Sequence, residues 1–255
     1  MITSSIKKQQ NTKGSVSHSV EVCVPGDGTS GTTMTYYQWD NEKPGLSGET
    51  DKEYVFYALE GKGSIWVGDT KTEVSKDTFV YLPVKTSWKV ESSPEQPLKH
   101  LLLTIPVNQE SSSPRNLKVV NDIMQGKVYE FGSNSTILVL DRAETDQCEV
   151  TVVSWPPHQR GAMVAHNDKE QTFYVLSGSG NVTVDGETKE VKPGDVVFVP
   201  FNTPHTTEAS DETLTYLCMN SIVGGKKYST FDEMYNLVAA DRIKRWKAKD
   251  ETVGL

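Results

Sequence analysis

The segment Asp168-Lys-Glu-Gln-Thr-Phe-Tyr-Val-Leu-Ser-Gly178 repeats Asp51-Lys-Glu-Tyr-Val-Phe-Tyr-Ala-Leu-Glu-Gly61, and the match runs without a gap to Pro83/Pro200 and Trp88/His205. Shared positions include Phe56/Phe173, Gly63/Gly180, Val67/Val184 and Glu73/Glu190. One unit written twice in 255 residues predicts two similar halves of about 100 residues, each large enough for its own core. The copies differ where chemistry can sit. The first has Glu49, Tyr54 and Trp88 where the second has His166, Gln171 and His205.

Composition narrows the classes of function. With 36% hydrophobic and 24% charged residues the chain reads as an ordinary globular protein. A formal net charge of −8 argues against a nucleic-acid binder. The apolar stretches, such as His100-Leu-Leu-Leu-Thr-Ile105, are strand-sized and too short to span a bilayer. No signal-peptide pattern opens the sequence. Cys23, Cys148 and Cys218 form no C-x-x-C pair and read as small buried hydrophobes in a reducing compartment, so the cytoplasm is the expected location.

Short β-type runs separated by turn signals predict an all-β sandwich or barrel in each half. Residues 1–14 are polar and basic without periodicity and read as a disordered leader. Residues 15–108 form the first barrel, 109–117 a polar linker, 118–225 the second barrel, and 226–255 a C-terminal helical segment. Ser229-x-x-Asp232 and Thr230-x-x-Glu233 both fit a capping box that opens the helix. Phe231, Met234, Tyr235, Val238 and Trp246 lie along one side of it. Its basic end (Arg242, Lys244, Arg245, Lys247, Lys249) reads as a solvated last turn suited to the helix dipole.

Three stretches of the second half carry a family resemblance: Phe173-Tyr-Val-Leu-Ser-Gly-Ser-Gly180, Lys192-Pro-Gly-Asp-Val-Val-Phe-Val-Pro200 and Asn202-Thr-Pro-His205. In this order they resemble the cupin superfamily, with a first motif G-x5-H-x-H-x(3,4)-E-x6-G and a second ending P-x3-P-H. The resemblance covers most of residues 140–220 and, through the repeat, extends to residues 30–105, which makes the whole similar to a bicupin. It implies two tandem double-stranded β-helix (jelly-roll) barrels of RmlC type, a small-molecule substrate, and dimerisation as a common state. It also implies metal ligands at the motif's histidines and glutamate. His166 matches the second histidine and His205 the histidine of the second motif, while Val164 stands where the first histidine would be.

The acidic position falls on Gln171 by counting back from Gly178, or on Glu170 by the shorter spacing from His166. Strand alternation puts Gln171, Phe173 and Val175 on one face and Glu170 on the other, which favours Gln171. Glu170 recurs as Glu53 in the copy without histidines, as a structural residue would. The expected set is therefore His166, Gln171 and His205, holding about one divalent transition ion per chain (Mn, Fe, Ni or Zn). The alternative is that these histidines are polar pocket residues that contact a ligand directly.

His158 and Arg160 read as exposed loop residues, and His18 and His100 fall outside any constellation. In the first half, Ser47, Glu49, Tyr54 and Trp88 occupy the ligand positions. They read as a packed structural half, or as an aromatic pocket. Three functions follow. The first is a metal-dependent small-molecule enzyme of dioxygenase, isomerase or hydrolase type, with its site in the second barrel. The second is a non-catalytic ligand-binding or structural bicupin that has lost its metal. The third is an enzyme similar to the ureidoglycine aminohydrolases, whose extra acidic ligand has no clear counterpart at Met163 or Val164.

Overall fold

The computed structural model describes residues 2–3, 18–23, 29–39, 45–107, 115–225 and 227–254. The chain divides into two compact units, residues 6–124 and residues 125–255 together with 1–5. In the first, a six-stranded sheet runs Lys118–Val120, Phe79–Leu82, Lys52–Glu60, Lys99–Pro106, Thr33–Gln38, His18–Cys23. It is accompanied by a four-stranded sheet ordered Gly45–Ser47, Trp88–Ser92, Lys62–Val67, Thr70–Ser75. In the second, a seven-stranded sheet runs Ile2–Thr3, Val196–Val199, Lys169–Ser177, Leu214–Ile222, Cys148–Trp155, Ser135–Leu140, Lys127–Glu130. Its companion has three strands, Glu187–Val191, Gly180–Val184 and His205–Ala209. The fold is the expected pair of jelly-roll barrels with one C-terminal helix.

The repeat is visible as pairing register. Phe56 lies between Val80 and Leu102, and Phe173 lies between Val197 and Cys218. Gly61 and Gly178 close the same hairpin at φ of 80° and 72°, where a Cβ would fall on the carbonyl oxygens of Pro97 and Thr213. Both a left-handed turn and a close backbone approach thus demand glycine there.

Two boundaries differ from expectation. Lys118–Val120 pair with Phe79–Tyr81, so this stretch completes the first barrel instead of opening the second. Ile2–Thr3 pair with Val196–Val197, so part of the expected leader is a strand on the second barrel; the rest of residues 1–14 lies outside the described residues. Most of the expected linker lies outside them too. No described helix is long and apolar enough to cross a membrane. All three cysteines are buried.

The first barrel is filled by rings. Tyr54 meets Trp88 edge-on at 4.9 Å, and both belong to a core with Trp39, Phe56 and Leu102. His100, placed by sequence outside any constellation, is fully buried against Tyr37 and Phe56, at centroid distances of 4.9 and 4.6 Å. The Trp39 indole N–H donates to His100 Nδ1 at 3.2 Å. Burial pushes the His100 pKa down to about 3. An unfolded chain protonates this ring near pH 6.5, so between those values the unfolded state binds more protons and stability rises with pH. Urea midpoints are therefore expected to fall as pH drops from about 6.5 towards 4, and to fall less in His100→Phe. An identical pH slope in that variant would show that the ring is not held neutral by burial.

The C-terminal helix, Phe231–Ala248, is capped by Thr230, whose hydroxyl accepts from the Glu233 backbone N–H at 3.0 Å. Glu233 in return accepts from the Ser229 N–H at 2.7 Å. Phe231, Met234, Val238 and Ala239 bury against Tyr129 and Phe131 of the second barrel. The basic end departs from expectation. Arg245 is buried and donates to the carbonyls of Met163 at 2.8 Å and Thr252 at 3.1 Å, besides its ion pair with Asp241 at 2.7 Å. The chain then returns so that Gly254 bridges Val164.

Candidate functional site

The second barrel encloses a cavity of about 110 Å³. Period-two alternation decides which side chains reach it. Glu149 and Thr151 point in from one strand, Lys169, Gln171 and Phe173 from the next, and Cys218 and Asn220 from a third. Glu170, on the opposite face of its strand, is buried away from the cavity lining. Its counterpart Glu53 in the first copy pairs with Arg115 at 3.2 Å.

His166 and His205 line this cavity with ring centroids 5.2 Å apart and planes inclined at 53°. His205 begins the strand His205–Ala209. The segment Val164-Ala-His166 is irregular and held by isolated bridges from Val164, one to Gly254 and one to His205, with which it exchanges backbone hydrogen bonds at 3.0 and 2.8 Å. Val164 lines the cavity with an alkyl group where the family motif has a histidine.

His205 Nδ1 lies 3.0 Å from the Thr203 carbonyl oxygen. A carbonyl only accepts, so the proton sits on Nδ1 and Nε2 carries the lone pair. Burial pushes the His205 pKa down to about 4. His166 is pushed well below its usual value by burial, reinforced by the Lys169 and Arg242 charges. Both imidazoles are therefore neutral at neutral pH, the form that binds metals.

A hydrogen-bond chain fixes the Gln171 amide. Glu149 accepts from Arg142 Nε at 2.7 Å and from Lys169 Nζ at 2.9 Å. Burial alone would raise the Glu149 pKa, but these two cations outweigh it and hold the carboxyl below its usual range. A carboxylate can only accept, so Asn220 turns its NH₂ to Glu149 at 3.3 Å. The Asn220 oxygen then faces the Gln171 NH₂ at 2.8 Å. Gln171 Oε1 is left buried with no hydrogen-bond partner among the described residues. It is an oriented acceptor on the same cavity as two imidazoles.

The loop residues stay outside. His158 is 71% exposed beside Asp211, and Arg160 pairs with Glu251 at 3.1 Å. In the first barrel, Glu49 turns outward to Lys52 at 2.8 Å while its backbone N–H donates to the Tyr54 hydroxyl. Sequence reasoning missed Glu149, Lys169, Asn220 and Arg242, all of which line the second-barrel cavity. Two signals were available: Glu149 begins the inward alternation Glu149, Thr151, Val153, Trp155, and Arg242 lies four residues beyond Val238 on the helix's buried stripe.

Residues 151–220 match the cupin domain family. The second barrel is a cupin domain, and the described chain has the two-barrel cupin fold. Among solved structures it is similar to the protein Ylba of E. coli, of family-model DUF861 (15% identity, TM-score 0.72, 86% of this chain and 89% of that one). It is also similar to a variant of Bacillus subtilis oxalate decarboxylase (15% identity, TM-score 0.67, 86% and 76%). At these identities the likeness is one of fold. Among curated proteins, quercetin 2,3-dioxygenase of Bacillus subtilis is 29% identical over 83 residues, 32% of this chain and 25% of that protein. An uncharacterized protein of Methanocaldococcus jannaschii is 44% identical over 43 residues, 17% and 34% respectively. The matched segments thus span 25% and 34% of these two relatives' lengths.

Proposed function

We propose that the second barrel binds one divalent transition ion through His166, His205 and Gln171 and acts as a small-molecule enzyme. The observation that carries this is the orphaned Gln171 oxygen, oriented by Asn220 and Glu149 onto a cavity shared with two neutral imidazoles. Buried acceptors left without donors are rare unless a ligand or ion supplies the partner. Among the described residues no group of three or more His, Cys, Asp or Glu side chains forms a metal cluster, so the third donor is an amide. Two imidazoles and an amide oxygen suit a borderline divalent ion, with positions left for water or substrate.

A bound ion would supply Lewis acidity or orient a coordinated molecule. The chain's own residues do the rest. Thr203 fixes the His205 tautomer, the Glu149–Asn220 chain fixes the Gln171 amide, and Val153, Trp155 and Phe173 keep that wall of the cavity apolar. A cavity of about 110 Å³ admits a substrate on the order of ten heavy atoms, not a polymer.

Metal analysis of the purified protein tests this proposal. Near one ion of Mn, Fe, Ni or Zn per chain is expected, and its loss in the His166→Ala/His205→Ala variant. A protein that takes up none of these ions would instead support a ligand-binding bicupin without metal, the alternative favoured by Val164 and by the absence of a carboxylate from the donor set.

A further inference from the structure

We propose that residues 250–254, which follow the C-terminal helix, are a strap that positions His166 in the second barrel, with Arg245 as its latch. This rests on His166 being a residue of the site, but not on the site's holding an ion. The first support is the wall that carries His166. Val164 commits its backbone N–H and C=O to His205, and the His166 carbonyl accepts from the Asn202 N–H at 2.8 Å. In an extended segment the flanking residues turn their backbone groups to the opposite side. No ladder meets them there; the strap does. The Ala165 N–H donates to the Gly254 carbonyl at 2.8 Å, and the Gly254 N–H donates to the Met163 carbonyl at 3.2 Å. Ala165 is buried, so without Gly254 its N–H loses its partner away from water.

The second support is the way the helix end aims and locks the strap. Lys249 is left-handed at φ 51°. Its N–H bonds the Trp246 carbonyl at 3.1 Å and the Asp250 N–H bonds the Arg245 carbonyl at 2.9 Å, a Schellman turn that sends the chain back to the barrel. Arg245 Nη1 donates to the carbonyls of both Met163 and Thr252, so one nitrogen ties the wall to the strap. Asp241 holds Nε of the same guanidinium. A Cβ on Gly254 would fall on that guanidinium, which cannot swing aside without giving up these bonds. The first barrel is an internal comparison. By the repeat, Ser47, Gly48 and Glu49 match Val164, Ala165 and His166. Gly45–Ser47 form a strand on Trp88–Ser92 at the edge of their sheet, with no strand beyond them among the described residues. The strap accompanies the copy that carries the histidine.

Arg245 is thus a positioning residue, and its role is separable from anchoring the helix. The test combines Zn titration of the full chain with the imidazole NMR signals of the metal-free protein. Gly254→Val and Arg245→Met are expected to shift the His166 signals, leave those of His205 in place, and weaken Zn binding about tenfold or more. Gly254→Val keeps every helix side chain, so it reads the strap even if Arg245→Met unfolds. Arg245→Lys, which keeps the charge but loses the fork, should recover part of both effects. Tyr235→Phe loosens the same helix elsewhere by removing the hydroxyl bond to the Glu130 carbonyl. It should lower the melting temperature and change neither the His166 signals nor Zn affinity. Unmoved His166 signals in Gly254→Val, wild-type Zn affinity in that variant, or equal losses in Tyr235→Phe would overturn the proposal. Displaced His166 signals in a protein whose wild type binds no Zn would support the strap and refute only the metal centre.

Discussion

Glu149→Gln is expected to destabilise the second barrel by about 3–5 kcal/mol. Glu149 and Arg142 are both fully buried, and Lys169 is 6% exposed. Removing the carboxylate leaves two cations inside the protein, with Asp168 still on Arg142 at 2.9 Å. The gain from such a buried network over apolar side chains is small, but the loss on breaking it is large, because an ion then stays desolvated without its partner. The same substitution should weaken metal binding roughly tenfold to a hundredfold, since it frees the Asn220 and Gln171 amides to rotate. Thermal or urea unfolding and metal titration of the one variant measure both effects. A stable variant with unaltered metal affinity would mean that the network neither holds the barrel together nor orients the amides.

Gln171→Glu is expected to move stability and metal affinity in opposite directions. A carboxylate facing the Asn220 oxygen replaces an N–H···O contact of 2.8 Å with two acceptors, which costs the ion-free protein about 1–3 kcal/mol. With an ion bound, the new negative charge is a better ligand than an amide oxygen, and affinity should rise on the order of tenfold or more. The measured pair is the melting temperature without metal and the dissociation constant for Mn or Zn. An unchanged dissociation constant would remove Gln171 from the coordination sphere.

The barrels were legible because they depend on local rules applied twice. Phe56/Phe173, Gly61/Gly178 and Val80/Val197 occupy matching register positions, and alternation together with the spacing from Gly178 favoured Gln171 over Glu170 for the face that lines the cavity. The rest depended on contacts between residues remote in sequence. Arg142, Glu149 and Lys169 lie apart in the sequence, and only the folded sheet brings them to one buried point. The helix's basic end looked like a solvated turn, because a stripe that changes from Val238 to Arg242 and Arg245 has no apolar period left to follow. What holds them inward is the Met163 carbonyl for Arg245 and the barrel wall for Arg242, neither of which the helix sequence encodes. Val164-Ala-His166 forms no strand because Val164 has only isolated bridges, to His205 and to Gly254, with no ladder beyond them.

The aromatic filling of the first barrel has an evolutionary consequence. Tyr54 and Trp88 stand where Gln171 and His205 stand, so in the duplicated frame a core ring and a cavity-lining polar side chain occupy one position. An interior closed by rings is free to be packed towards stability alone. A hollow interior with buried charge sits further from that optimum and tolerates fewer further mutations. The repeat thus joins a copy closed by rings to a copy with a cavity, and only in the second does a change of one lining side chain alter what the interior can hold.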